Sequence, residues 1–492
     1  METPDLFKNE KTAAYGEKLV DYQFNGKDIF VISDLHMSTG INSTGNYEGT
    51  ENFFADQSFG RFIDHIINNT INNPALLVIN GDLVDFLRID AIPESEQDFL
   101  DWNEALSMIG INKTISDLKG SIDKKERKFG LKTDDYKSVW KLYLCATGHK
   151  KVFESLAKWL SNGHELIITK GNHDLEWYWK PVRDYMQYLL AGQIAAANKS
   201  SINAELVKTV APNLTFIDDN LIVNETIYIE HGHHYENFTR VYGPAVLKDC
   251  NELNLPFGSF FNRYLVNKIE LAFPYIDDVR PRENILSVLI QERFPLAIKM
   301  LFYYLPLIIL IIPKRQYKYA LRYLFQFLLF IVLPVAITIV AFLIVHPVKI
   351  AVHSPTGIIK TLLNSLENLG FLILSYLLSR LFAMLQLTPP DGLFKNAQAV
   401  FDKHPGVQVV TFGHTHDPEQ KDNRYKTKRY YNTGTWIPVF ETDAADIRLD
   451  KTYTFLRLVQ NRPGEVAKTA LMRWNDDALR IDALTLMDRK YS

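Results

Sequence analysis

Five short apolar runs, each ending in a cluster of Gly, Asp, Asn or His, set the rhythm of the chain. Asp28 to Ser33 leads into Asp34, Leu76 to Asn80 into Gly81, and Leu166 to Lys170 into Gly171. Ile227 to Glu230 leads into His231, and Val407 to Phe412 into Gly413. All five are too short for helices and predict buried strands. Between the first two, Phe59, Phe62, Ile63, Ile66 and Ile67 recur at helical spacing and predict a crossover helix. Strand, helix, strand implies a mainly parallel, layered α/β core. In such sheets ligands sit outside the carboxyl ends of the strands, which is where the polar clusters fall.

Two regions interrupt this pattern. Residues 90–148 are polar and helix-prone, with a mixed charge run from Asp123 to Lys128 that reads as a solvated face. Residues 246–394 contain the most apolar part of the chain. The expected division is therefore a core made of 1–89, 149–245 and 395–492, a helical insertion at 90–148 and an apolar insertion at 246–394. The segments YYNTGTWIPVF and TYTFLRLVQ, after His416, read as strands that complete the core.

Within the apolar insertion, residues 323–345 carry no charge over a length sufficient to cross roughly 30 Å of hydrocarbon at about 1.5 Å per residue. Residues 364–386 form a second candidate span that contains Glu367 and Arg380. Residues 294–312 are interrupted by Lys299 and Pro306 and are expected in the interface or against the hairpin. The polar clusters before and after the insertion must meet in one site, so the chain must cross a bilayer an even number of times. The basic segment PKRQYKYALR belongs on the cytoplasmic side, which places the expected protein at the inner, cytoplasmic membrane with its catalytic domain facing the cytoplasm. A buried helical lid is the alternative reading of the same stretch.

Composition narrows the function. Lys plus Arg number 54 and Asp plus Glu 57, a net charge of 54 − 57 = −3, which provides no general attraction to nucleic acid. The two cysteines, Cys145 and Cys250, form no thiolate metal motif. The first twenty residues lack the apolar stretch of a secretory signal, so cleaved export is not expected.

The chemistry lies in the five clusters: Asp34-Leu35-His36, Gly81-Asp82-Leu83-Val84-Asp85, Gly171-Asn172-His173-Asp174, His231-Gly232-His233 and Gly413-His414-Thr415-His416. Each alone could be an ordinary turn. All offer oxygen or imidazole donors, and five in this order, each capping an apolar strand, point to a metal cradle. In an extended backbone Asp34 with His36, and His414 with His416, would face one way. Asp82 can bridge two cations through its two oxygens, and this donor set suits a pair of borderline divalent metals, with Mn, Fe and Zn all admissible.

These clusters resemble the signature of the calcineurin-like metallophosphoesterase superfamily. The resemblance implies a β-sandwich flanked by helices, here with the helical insertion and the apolar, membrane-associated one. It also implies that Asp34, His36, Asp82 and His416 hold one metal and that Asp82, Asn172, His231 and His414 hold the other. His173 matches the family's non-ligand histidine that contacts phosphate and protonates the leaving oxygen, and Asp85 matches the carboxylate that orients it. The activity implied is hydrolysis of a phosphoester or diphosphate by a hydroxide bridging two divalent ions. The UDP-diacylglucosamine diphosphatases are similar in carrying a helical insertion between the histidine motifs, but they typically have Arg where this chain has His173. With the apolar insertion between His231 and His414, the expected substrate is amphiphilic or lipid-linked. The alternatives are a nuclease or cyclic-nucleotide phosphodiesterase of the same superfamily, and a metal-binding scaffold without turnover.

His233 reads as a contact to a ligand or to substrate. Trp177 and Trp179 are divided between pocket and core. Arg240, Arg263, Arg280 and Arg282 are candidates for gripping a second phosphate or anionic headgroups, with solvated surface as the alternative.

Overall fold

The computed structural model describes residues 19–271, 279–280 and 392–486, apart from 43, 48–49, 71–72, 237, 249, 424–426, 442–445, 448–451, 466 and 485, together with a few positions between 293 and 299. Two large mixed sheets lie between layers of helices. The first has seven strands in the order Arg480–Ala483, Lys468–Asn475, Thr454–Val459, Asp28–Ile32, Ala75–Asn80, Glu165–Thr169 and Leu214–Ile217. The second has six, in the order Leu19–Tyr22, Asn220–Val223, Ile227–Glu230, Val409–Phe412, Arg429–Asn432 and Glu419–Asp422.

All five expected strands form, with ends displaced by up to two residues. Alternation along them separates two cores. Ile29, Val31, Leu76, Val78 and Ile167 turn inward to meet Leu221, Val223, Ile227, Ile229 and Val409 of the facing sheet. Their neighbours Phe30, Ile32, Leu77, Ile79 and Ile168 point outward and pack with the helical layer. Helix Asp56–Asn69 is the expected crossover, burying Phe59, Phe62, Ile63, Ile66 and Ile67 between the parallel strands Asp28–Ile32 and Ala75–Asn80. On the far side, Tyr228, Val410 and Phe412 pack with Leu393, Ala397, Val400 and Phe401 of helix Gly392–Lys403.

The sheets are less parallel than the sequence suggests. Strands Asp28–Ile32 through Leu214–Ile217 are parallel, but Thr454–Val459 runs antiparallel to Asp28–Ile32 and is followed by two hairpin-linked antiparallel strands. Connections of only a few residues can join neighbouring strands in that sense alone. The segment YYNTGTWIPVF is also not one strand. It leaves the sheet after Asn432, turns at Gly434 with φ 73°, and brings the Thr435 hydroxyl to the Asp34 carbonyl at 2.7 Å. Trp436 then packs on Phe59 and Phe62.

Residues 90–148 contain helices Glu96–Met108, Ile115–Gly120, Glu126–Phe129 and Asp135–Gly148. The charge run there is not wholly solvated. Glu126 is buried, accepts from Lys137 Nζ at 2.6 Å, and takes the backbone N–H groups of Asp123 and Lys132.

Among the described residues no helix is long and apolar enough to cross a membrane. The expected spans at 323–345 and 364–386 lie outside the described residues.

Candidate metal centre

The carboxyl ends of strands from both sheets converge on one polar cluster. Asp34 and His36 follow Asp28–Ile32, Asp82 and Asp85 follow Ala75–Asn80, and Asn172 and His173 follow Glu165–Thr169. From the second sheet, His231 follows Ile227–Glu230, and His414 and His416 follow Val409–Phe412. Three groups of side chains each bring ligand atoms within 4.8 Å of one another: Asp34, His36 and His416; Asp82, His231 and His414; and His36, Asp82 and His173.

The backbone reaches this arrangement differently from the extended geometry the spacing suggests. Asp34, His36, Asp82, His414 and His416 are all left-handed, with φ of 55°, 50°, 53°, 72° and 62°. Non-glycine residues there cost on the order of 1–3 kcal/mol each, and such strain persists where surrounding structure imposes it. Here loop-to-loop hydrogen bonds do so: Asp34 N donates to Gly81 O at 3.2 Å, His36 N to Asp82 O at 2.8 Å, and His414 N to Asp34 Oδ2 at 3.0 Å. At Gly171 a Cβ would collide with the Asp82 carboxylate, and at Gly81, where φ is 80°, it would collide with the His231 ring. The cradle therefore passes directly over glycine backbone.

Hydrogen bonds fix the ring orientations. His231 Nδ1 lies 2.8 Å from Asn80 O, which makes it the donor and turns Nε2 toward Asp82 Oδ2 at 3.1 Å. His36 Nδ1 lies 3.1 Å from Asp85 Oδ2, and its Nε2 faces His416 Nε2 at 3.0 Å. His414 Nε2 points at Glu236 Oε2, 3.3 Å away. Asp34 Oδ1, Asn172 Oδ1 and His231 Nε2 are buried without a hydrogen-bond partner. Buried donors and acceptors are normally satisfied, so one carboxylate and one amide carbonyl oxygen without a hydrogen bond, beside a His231 Nε2 that meets only a carboxylate oxygen off the hydrogen-bonding direction, fit a site built for cations.

The electrostatics agree. Burial opposes charge on Asp34, but His231, His36 and His416 outweigh it and lower its pKa well below the usual carboxylate range. For Asp82 the same penalty is overcome by His231, His173 and His36, so its pKa is also lowered. Burial works against protonation of His231, yet Asp82 and Asp34 raise its pKa to about 9. His36 is likewise raised against its burial, by Asp34, Asp85 and Asp82. Carboxylates and imidazoles this close hold protons where cations would otherwise sit.

His173 lies within reach of His36 and Asp82 but is held by Asp85 and by its own backbone. Its Nδ1 lies 2.8 Å from Asp85 Oδ2, and its backbone N donates to Asp82 Oδ1 at 2.8 Å. Burial disfavours the imidazolium, but Asp85 and Asp82 outweigh it and raise the pKa. Its side chain keeps 14% exposure while Asp85 has none, so a proton can be passed outward from a ring held on its inner edge.

Several expectations resolve differently. His233 is 1% exposed with both ring nitrogens unpartnered, and burial, then His234 and His231, push its pKa well down. It lies beside His231, with ring centroids 5.5 Å apart, and is sealed from solvent, which disfavours a substrate contact. Trp177 and Trp179 belong to the core, donating to Asp174 Oδ2 and Thr133 O at 2.9 and 2.8 Å. Arg263 is buried and spent on backbone carbonyls, so it grips no headgroup. Arg240 is exposed beside Tyr242, and Arg282 lies outside the described residues.

Three supporting residues are assigned no role by the sequence, and of these only Asp174 lies in one of its clusters. Glu236 backs His414, Arg88 backs Asp85 through Nε at 3.0 Å, and Asp174 accepts Leu83 N and Gly171 N at 2.9 and 2.6 Å. Burial and the neighbouring Asp82 raise the Asp174 pKa to about 7. Only its place beside Asn172 and His173 could have drawn attention to it.

Residues 27–257 match the family model of the calcineurin-like phosphoesterases. The match contains Asp34, His36, Asp82, Asp85, Asn172, His173 and His231, while His414 and His416 lie beyond it and are brought to the same cluster by the fold. This part of the chain is thus a metallophosphoesterase domain with its His and Asp clusters in place. No curated protein matches the chain.

Proposed function

We propose that the protein is a dinuclear-metal-dependent phosphohydrolase that cleaves a phosphoester or diphosphate of an amphiphilic or lipid-linked substrate. The observation that carries this reading is the convergence of six donors, Asp34, His36, Asp82, His231, His414 and His416, with the unpartnered Asn172 Oδ1 buried on the neighbouring loop and the carboxylate-held His173 at the edge. Asp34, His36, Asp82 and His416 would hold one divalent cation, and Asp82, Asn172, His231 and His414 the other, with Mn, Fe and Zn all compatible with the donors. The chemistry such a pair supplies when bound is activation of water and neutralisation of charge on phosphoryl oxygens. Asp82 presents one carboxylate to both clusters and uses Oδ1 to fix the His173 backbone. His173, with Nδ1 held by Asp85, has Nε2 available to protonate a leaving oxygen.

The amphiphilic part of the reading is supported by the sequence. An uncharged stretch at 323–345 stands between His231 and His414 in a chain whose two ends must return to one site. The catalytic domain would then face the cytoplasm with its mouth at the bilayer surface.

The test is a Mn-reconstituted assay of the full chain in bilayers, comparing lipid-linked phosphoesters and diphosphates with water-soluble analogues of the same headgroup. The reading expects a kcat/KM at least tenfold higher for the lipid-linked substrates, together with resistance of the protein to carbonate extraction from membranes. Equal efficiency on both would remove the lipid specificity, and absence of hydrolysis across the whole panel would remove the enzymatic reading.

A further inference from the structure

The family match ends at Phe257, and the helical stretch that follows is anchored against the metal centre. It runs through Phe257–Phe261, Asn262–Val266 and Asn267–Glu270, within the first part of the apolar insertion. Five of its polar residues are buried, and three of them, Arg263, Asn267 and Glu270, bond to the core. Arg263 donates to the carbonyls of Phe129 and Leu131 at 3.2 and 2.5 Å, and Asn267 Nδ2 donates to Leu87 O at 2.8 Å. Glu270 accepts from Arg88 Nη1.

Arg88 connects this segment to the reacting groups. Its Nε donates to Asp85 Oδ2 at 3.0 Å, the same oxygen that faces His173 Nδ1 at 2.8 Å and His36 Nδ1 at 3.1 Å. Arg88 is 2% exposed, Asp85 0% and Glu270 4%, so little solvent competes for these bonds. An oxygen shared by two imidazoles can be drawn to either one, and a guanidinium on it at a fixed angle removes that freedom. Glu270 supplies a second countercharge to the buried Arg88, whose Nη1 also donates to Thr50 O at 3.3 Å.

We propose that Arg88 and Glu270 are positioning residues: Glu270 holds Arg88, and Arg88 holds Asp85 in the one orientation that serves both His173 and His36. The first part of the apolar insertion thereby supports the catalytic apparatus. This rests on the phosphohydrolase reading above.

The experiment uses the full chain and three variants, Glu270→Gln, Arg88→Met and the double change Arg88→Met with Glu270→Leu. Removing one partner of a buried pair threatens folding, whereas replacing both by apolar side chains of similar volume is commonly tolerated, so the double variant keeps the fold testable. Each is examined by thermal unfolding, by Mn titration of the metal-free protein, and by kcat and KM for phenyl phosphate and 4-nitrophenyl phosphate.

The double variant is expected to melt near the parent yet bind Mn about tenfold more weakly, because His36 loses its fixed partner. Its kcat should fall roughly 10- to 100-fold on phenyl phosphate, with KM changed less than about threefold and a smaller loss on 4-nitrophenyl phosphate, whose leaving group needs less protonation. A folded double variant with parental Mn affinity and parental kcat overturns the proposal. If the double variant does not fold, Glu270→Gln decides it, with a loss in kcat and Mn affinity supporting the proposal and parental values for both overturning it. The Mn titration does not require turnover. A parent protein that binds Mn but hydrolyses neither soluble ester would therefore leave the titration to judge Arg88 and Glu270, while the lipid-linked panel above judges the activity.

Discussion

Asp85 Oδ2 lies 3.1 Å from His36 Nδ1 while also facing His173 Nδ1 at 2.8 Å, so one buried oxygen serves a candidate metal ligand and a candidate proton donor. Asp85→Asn should therefore damage two functions at once. We expect weaker Mn binding together with a kcat loss on the order of 10²- to 10⁴-fold, whereas His173→Ala should lose a comparable kcat and leave Mn binding near the parental value. Kinetics paired with Mn titration separates the two. An Asp85→Asn protein whose Mn affinity is unchanged would show that His36 does not need this partner.

Glu236 plays the corresponding part on the other side. Its carboxylate stands 3.3 Å from His414 Nε2 and turns the opposite edge of that ring inward. Glu236→Gln should weaken Mn binding about 10- to 100-fold, and Glu236→Asp less if the shorter carboxylate still reaches. Parental affinity in both variants, measured by titration calorimetry, would contradict this role.

A separate buried charge cluster governs stability with pH. His149 is fully buried between Glu51 and Asp56, with Nε2 and Nδ1 each 3.0 Å from a carboxylate oxygen. Burial opposes its charge, but Glu51 and Asp56 prevail and raise its pKa to about 9 from 6.5. Because the folded value lies above the unfolded one, the stabilisation is fully present below about pH 6.5 and is lost as pH rises through about 9. The loss should be on the order of 2–3 kcal/mol across that window, read from urea unfolding. His149→Gln should be less stable at pH 6.5 and should lose less stability than the parent across the window, the remainder coming from other buried groups such as His231 and Asp174. Parallel pH profiles for the two proteins would refute the assignment. Glu51 also accepts the backbone N–H groups of Ser38 and Gly40, so the cluster steadies the loop that carries His36.

The sequence reveals the strands and their polar ends because burial on both faces leaves continuous apolar runs such as Leu76 to Ile79, and the site follows from where those runs stop. It does not reveal how the ends are shaped. The left-handed turns at Asp34 and His36 are imposed by hydrogen bonds to Gly81 and Asp82, some fifty residues away. Arg88, Glu236 and Glu270 are invisible for a related reason: each acts through a partner distant in sequence or set at no recurring spacing. His149 carries no motif either, and its role exists only because Glu51 and Asp56 close around it in three dimensions.

Metal stoichiometry of the full chain tests the central claim most directly. After reconstitution with excess Mn and removal of free ion, the account predicts about two Mn per folded chain and near-complete loss in Asp82→Ala, because Asp82 belongs to two of the three side-chain groups that could hold a cation and is the proposed bridge between the two ions. A folded parent protein holding one Mn or fewer, or an Asp82→Ala protein that still holds two, would contradict it.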